Sequence, residues 1–337
     1  MTTPVLTFFN NKGGVGKTSL VYHLSAMFAE LGARVLAVDL DPQANLTSAF
    51  LSEDRLAEIW EDEKTVSTIY DSVKPLLDVG DFSPVDYQII NSCLALIPGD
   101  LGLSGFEDQL SSMWIEAMDD RNKSRPLRIL TAFWRCAQEA AVRFEADLIV
   151  IDVGPNLGAI NRAALLGSNH VVVPLGADLF SLQGLRNLGP KLRDWRQGWT
   201  TRRESWTQPS FDLPRGDMTP VGYIAMRHGV RLTRPVKAYT RWLEQIPAEF
   251  RRSVLAEDIS TRALPPIESD PYCLAMLKNY NSLMPLAQEA RKPIFALRAA
   301  DGAIGAHANA VKAVYGDFRT LARDIADRID LTLPGSP

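Results

Sequence analysis

Short, almost uninterrupted apolar runs recur along the chain at residues 5–9, 35–39, 94–97, 148–152, 171–174 and 221–226. Runs of this length bounded by polar residues predict strands buried on both faces, the habit of a parallel sheet. After the first run, Leu20, Leu24, Met27, Phe28 and Leu31 fall at helical spacing, and Gly32 stands where a helix C-cap is expected. A last amphipathic pattern, Ala310, Val311, Val314, Phe318, Leu321, Ile325 and Ile329, predicts a closing helix over 306–329. This alternation predicts an α/β fold, a doubly wound and mostly parallel sheet with helices on both faces. Residues 51–125, and 189–217 with its Trp, Pro and Gly, read as elaborations of one domain spanning 1–337.

The first run leads into Asn11-Lys12-Gly13-Gly14-Val15-Gly16-Lys17-Thr18-Ser19. Glycines let backbone N–H groups converge on phosphate oxygens, and the following helix adds its positive N-terminus. The stretch therefore predicts a phosphate cradle, with Lys17 on the outer phosphates and the Thr18 hydroxyl on Mg²⁺. Lys12 has no place in that cradle. A lysine at the start of the loop does not easily turn into its own phosphate site, which implies a second task.

Carboxylates supply the rest of the chemistry. Hydrolysis of a nucleoside triphosphate needs charge neutralisation, a metal bridge and an oriented water. Asp152 ends a buried run, a position from which a carboxylate holds the metal through water. Asp39 and Asp41 lie two apart in an extended segment and project the same way if strand geometry persists. One would serve the metal shell and the other the attacking water.

Lys12 to Thr18 resembles the deviant Walker A motif of the ParA/MinD family of P-loop ATPases, marked by its extra lysine. Asp39-Leu40-Asp41-Pro42-Gln43-Ala44-Asn45-Leu46-Thr47 resembles the family's switch I, and residues 147–155 its Walker B strand and switch II. Val171-Val172-Val173-Pro174 with Ser181-Leu182-Gln183-Gly184-Leu185 resembles the strand and helix that follow. Leu94 to Pro98, with Leu101 and Leu103, is similar to a family segment between the switches. The resemblance implies an ATPase using ATP and Mg²⁺, in which Asp41 activates water and Asp39 sits closer to the metal. It gives Lys12 its task, reaching across a homodimer interface to the ATP of the other subunit in an ATP sandwich. It also implies non-specific DNA binding by the dimer and a ParB-like or other protein adaptor that stimulates hydrolysis. For the base it implies Arg227, after the sixth run, and Pro265, near where the family places a proline beside adenine. The chain departs from the family at Gly154, where the first of two switch II prolines is usual, and at Asn156, which follows Pro155. Asp178 and Gln183 stand where glutamates are common. A glycine loosens the switch.

Composition narrows the setting. The 337 residues, 46% hydrophobic and 23% charged, suit one large α/β core. No apolar run reaches the length of a membrane span, and the N-terminus lacks a signal peptide's regions, so a cytoplasmic protein is expected. Met1-Thr2-Thr3 leads almost directly into the first run, which leaves no room for an upstream DNA-binding helix-turn-helix. Cys93, Cys136 and Cys273 have no metal-ligand spacing and suit a reducing compartment. They exclude a nitrogenase iron-protein relative, and the single phosphate loop excludes the duplicated arsenite-pump ATPases. No Asn-Lys-x-Asp base-reading motif is present, so ATP is expected rather than GTP.

The net charge of −4 is unevenly spread. Acids dominate 53–120, whereas arginines accumulate from Arg186 onward, around Trp195, Trp199 and Trp206. Arg202, Arg203, Arg231, Arg234, Arg241 and Arg252 are the expected DNA contacts, neutralising phosphates without reading sequence. The same pattern also reads as a solvated face, with Arg241 and Arg252 paired to Glu244, Glu249 or Glu257. The closing helix ends in acids and Pro-Gly-Ser-Pro, which suits packing on the domain rather than membrane insertion. The leading expectation is a partitioning ATPase for plasmid, chromosome or other cargo, cytoplasmic and nucleoid-associated. The alternative is a regulatory or defence-associated switch acting on a protein partner, motivated by the acidic 51–125 segment.

Overall fold

The computed structural model describes residues 2–61, 67–78, 80–119, 123–207, 209–227, 236–260, 263–278, 280 and 283–334, with backbone alone at 227 and 236–239. Eight strands form one sheet: β1 (Val5–Phe8), β2 (Val35–Asp39), β3 (Gln88–Asn91), β4 (Leu94–Ile97), β5 (Leu148–Asp152), β6 (His170–Gly176), β7 (Thr219–Arg227) and β8 (Cys273–Lys278). Their order is β3-β4-β2-β5-β1-β6-β7-β8. All neighbours run parallel except β3, which returns antiparallel on β4. The central strands are buried along their length, as their unbroken apolar sequences require.

The helices of the described chain are α1 (Lys17–Glu30), α2 (Asn45–Phe50), α3 (Glu53–Glu61), α4 (Ile69–Val73), α5 (Glu107–Glu116), α6 (Ser124–Leu130) and α7 (Ala132–Phe144). They continue with α8 (Ala159–Leu166), α9 (Leu179–Glu204), α10 (Val236–Leu243), α11 (Ile246–Glu249), α12 (Met284–Ala290) and α13 (Ala306–Arg328). One face of the sheet carries α1 and α13, whose Leu24, Met27, Phe28, Val314, Phe318 and Ile325 pack on Leu6, Phe8 and Val150. The other carries α5, α7, α8 and α9. Gly32 takes a φ of 93° just past α1, the left-handed turn that closes a helix.

The segment 189–217 differs from expectation. Its first half is not an insertion but the continuation of α9, which runs through Pro190. A Cβ at Gly189 would run into the Ser253 carbonyl, so glycine permits that close crossing. Trp195 and Trp199 are buried on the same helix, and the Trp199 indole donates to the Pro214 carbonyl at 2.9 Å. They anchor the return loop.

Strand order reverses about β1, with β5 on one side and β6 on the other. In open α/β sheets the crevice beyond the strand ends at such a point is where ligands bind.

Candidate functional site

The loop 11–16 leaves β1 at that crevice. Gly14 and Gly16 adopt φ values of 71° and 80°, conformations that side-chain-bearing residues adopt only under strain. Gly16 caps α1 without any side-chain hydrogen bond, so the first-turn N–H groups remain available to an anion. Asn10 pins the loop: its Nδ2 donates to the Pro174 carbonyl at 2.6 Å and its Oδ1 accepts from the Lys12 N–H at 3.0 Å. Asn11 Oδ1 is buried with no hydrogen-bond partner. The Lys17 ammonium folds back over the loop and donates to the Lys12 carbonyl at 3.2 Å. Burial depresses the Lys17 pKa, while Asp152 and Asp41 act in the opposite sense.

Three carboxylates gather at this end of the sheet, Asp39 and Asp152 at strand ends and Asp41 two residues past β2. Asp39 and Asp152 are register partners on β2 and β5. Asp39 is fully buried, with Oδ2 accepting from the Thr47 N–H at 2.8 Å and hydroxyl at 2.7 Å, and Oδ1 from the Asp41 N–H at 3.2 Å. Both its oxygens thus hold the switch I segment in shape. Burial pushes its pKa up to about 6, although those hydrogen bonds oppose the rise. Asp41 caps the next turn, accepting from the Gln43 N–H at 3.1 Å.

Asp152 is different. Both its oxygens are buried without a hydrogen bond of good geometry. Burial and the nearby Asp39 raise its pKa well above the carboxylate range, while the adjacent Thr18 hydroxyl and Lys17 act against the rise. A buried carboxylate with unused lone pairs is expensive unless a cation neutralises it. The group therefore fits a divalent ion held by Asp152, Thr18 and phosphate oxygens, the sparse set that Mg²⁺ prefers. The structure brings Lys17, Thr18, Asp39, Asp41 and Asp152 together as expected. It gives Asp39 the local role of ordering switch I.

Lys12 turns away from the cradle. Its ammonium pairs with Asp178, whose other oxygen caps α9 through the Ser181 N–H at 2.9 Å. The exposed Phe180 ring lies 6.0 Å from the ammonium. This ion pair holds Asp178 below the ordinary carboxylate range against the effect of burial.

Switch II passes between these groups. A Cβ on Gly154 would stand 3.3 Å from Asp41 Oδ1, and one on Gly13 would stand 3.9 Å from Pro155. The Asn161 amide, buried on α8, donates to the Gly154 carbonyl at 2.9 Å and to the carbonyl and Oδ1 of Asn156 at 2.8 and 3.0 Å. Of the two departures, only Asn156 offers Asn161 a side-chain acceptor; the bond to residue 154 goes to its main-chain carbonyl.

A cleft of about 490 Å³ lies beside the loop, lined by Thr18, Ser19, Tyr22, Asn45, Met284 and Arg291 among others. Pro265 does not line it. The side chain of Arg227, and residues Arg231 and Arg234, lie outside the described residues. Sequence reasoning missed Tyr22, Met284 and Arg291. Tyr22 follows Thr18 by one helical turn, the only local signal, and α12 carries no motif.

The expected DNA contacts divide. Arg202 is buried, with Nε and Nη2 donating to the Trp114 carbonyl at 2.9 and 2.6 Å and Nη1 to the Gly198 carbonyl at 2.8 Å. Its charge is spent inside, which removes it from any DNA surface. Arg203 donates to the Arg215 carbonyl at 3.0 Å, and Arg252 lies 3.6 Å from Glu249. Arg241 is exposed over Trp242 at 5.3 Å. Among the described residues no helix is long and apolar enough to cross a membrane.

A family model described as an AAA domain matches residues 3–201. The sporulation initiation inhibitor protein Soj of Bacillus subtilis (strain 168) is 33% identical over 184 residues, 55% of this chain and 62% of Soj. The chromosome partitioning protein ParA of Myxococcus xanthus is 28% identical over 198 residues, 58% of this chain and 59% of that protein. The chain thus spans about three fifths of the length of these relatives. A protein of Corynebacterium diphtheriae shares the fold with a TM-score of 0.71 at 24% identity, over 97% of this chain and 99% of that one. The ATP complex of McdA from Cyanothece does so with a TM-score of 0.61 at 18% identity, over 98% of each chain.

Proposed function

The chain belongs to the ParA/MinD-type P-loop ATPases, and from that premise we propose that it is a dimerising ATPase switch of the partitioning type. ATP binds on the cradle of residues 11–19, with its adenosine half in the cleft beside Tyr22 and Met284. Thr18 and Asp152 would hold Mg²⁺, which would supply neutralisation of phosphate charge. Lys17 balances the charge that builds on the transferring phosphoryl group, and Asp41 orients the attacking water. Lys12 leaves Asp178 to reach the ATP of a second copy, so that two nucleotides lie between two subunits. Hydrolysis, stimulated by a ParB-like or other adaptor, releases the dimer and with it DNA and cargo. Residues 51–125 and the loop after α9 are elaborations of this one domain.

The observation that carries the reading is the pairing of two lysines on one loop with opposite commitments. Lys17 lies among buried carboxylates, and Lys12 stands at the surface against a single exchangeable partner. The test is the ATPase rate of the full chain and of Lys12→Ala, with oligomeric state measured by light scattering in ATP and ADP. Dimerisation confined to ATP and a folded, inactive Lys12→Ala protein support the proposal. A wild-type rate in Lys12→Ala overturns it.

A second reading has an observation of its own. Arg193, Arg196 and Arg202 all donate to main-chain carbonyls, so much of the basic region staples the fold together. That favours a protein partner over DNA. ATP-dependent retention of DNA at low salt decides between them, and its absence leaves the switch acting on a protein.

A further inference from the structure

Helix α5, from the acidic segment between the switches, reaches the first turn of α8, just past switch II, through the Glu107 side chain. The Glu107 carboxylate accepts from the Ala159 N–H with one oxygen and from the Ile160 N–H with the other, at 2.9 Å for the latter. These are orphan donors in the first turn of α8, and a carboxylate there also meets the positive helix end. Gly158 makes the approach possible, since a Cβ at that position would run into the Glu107 carboxylate. One turn further on, Arg162 stacks on Trp114 of α5 at 4.5 Å and donates to the Leu110 carbonyl at 3.3 Å. Arg202 of α9 also lies over the Trp114 ring, at 3.7 Å. Helix α5 is therefore fastened to α8 at two successive turns and to α9 beyond.

We propose that Glu107 is a positioning residue for hydrolysis: it sets α8, whose Asn161 amide holds residues 154–156 against Asp41. The inference rests on the ATPase reading of the site. Glu107 touches neither the phosphate cradle nor the cleft, so its effect belongs in turnover rather than in nucleotide binding. Losing it frees the N-terminal turn of α8, the Asn161 amide shifts, and the switch II backbone no longer fixes Asp41 relative to the water it orients.

The test compares the wild-type chain with Glu107→Ala and Glu107→Gln. Glu107→Ala should lower kcat about tenfold, the scale of a small misplacement of reacting groups, with the KM for ATP unchanged within about twofold. Glu107→Gln, which keeps an acceptor for one of the two N–H groups, should recover part of that loss. Hydrogen exchange of the nucleotide-free proteins supplies a readout independent of turnover. Residues 154–161 should exchange faster in Glu107→Ala while 11–19 do not. Unchanged exchange at 154–161, or a fall in kcat that only follows the unfolded fraction, would each overturn the proposal. A wild type that hydrolyses no ATP would sink the ATPase reading, and the exchange measurement would still decide the placement of switch II.

Discussion

His23 sits wholly inside the protein, one turn beyond the phosphate loop. Its Nδ1–H donates to the Ser19 carbonyl at 2.7 Å, its Nε2 accepts from the Ile294 N–H at 3.1 Å, and its ring stacks on Phe318. Burial drives its pKa down to about 4, against the opposing Ser19 hydrogen bond. The unfolded histidine titrates near 6.5, so between those values the unfolded chain binds more protons than the folded one. The contribution of His23 to stability therefore rises with pH across that window, is fully present above about 6.5, and is lost as pH falls toward 4, by up to about 3 kcal/mol. Asp39 and Asp152, whose carboxyl pKa values are raised in the fold, slope the opposite way over the same window. The histidine's share is therefore read as the difference in urea midpoints between wild type and His23→Gln from pH 4.5 to 7.5, which should grow in favour of the wild type as pH rises. At the same scale Lys12→Ala should cost about a hundredfold or more in kcat, as loss of a transition-state cation does. Chelating divalent ions should abolish hydrolysis and leave the fold intact, since neither oxygen of Asp152 holds any other element in place. The residues of these loops were legible because phosphate chemistry dictates residue type and spacing together. The partner of Lys12 was not, because Asp178 comes from a distant strand end.

Elements were legible where their apolar pattern is unbroken. The six central strands follow directly from six buried runs. The edge strands β3 and β8 do not, since an edge faces solvent in part: Ile89 is exposed on β3, and β8 alternates irregularly between buried and half-buried positions. Helix α9 was misread past Gly189 because Gly-Pro ordinarily ends a helix, whereas here the glycine lets a neighbouring turn cross against it. That neighbouring turn holds Arg251, buried with Asp270: its Nη2 donates at 2.6 Å and its Nη1 at 3.1 Å, while the Tyr223 hydroxyl donates to the same carboxylate at 2.6 Å. Burial alone would raise Asp270, yet Arg251 and Tyr223 hold it below the carboxylate range. Asp270→Ala strands a buried guanidinium beside the β7–β8 edge and should cost about 3–5 kcal/mol, read from denaturant midpoints. A loss below about 1 kcal/mol would mean that Glu257, 3.9 Å from Arg251, takes over as counter-charge.

On the scale of the whole molecule, the proposed nucleotide site lies at the sheet's reversal point, beside the surface that the proposed dimer would cover. The exposed pair Leu179 and Phe180 flanks Lys12 on that surface. DNA retention, where present, should require ATP and weaken steeply between about 50 and 200 mM salt. Mixing of subunits decides whether Lys12 works on the other subunit's nucleotide, as proposed. Lys12→Ala keeps its own Asp41 but offers no lysine across the interface, while Asp41→Ala offers the lysine but cannot orient water. Each alone should be inactive. Mixed in equal amounts with ATP, they should recover hydrolysis well above the sum of the two, because each mixed dimer contains one complete site. Activity that stays at that sum in mixtures shown to dimerise would contradict the account and place the work of Lys12 within its own subunit.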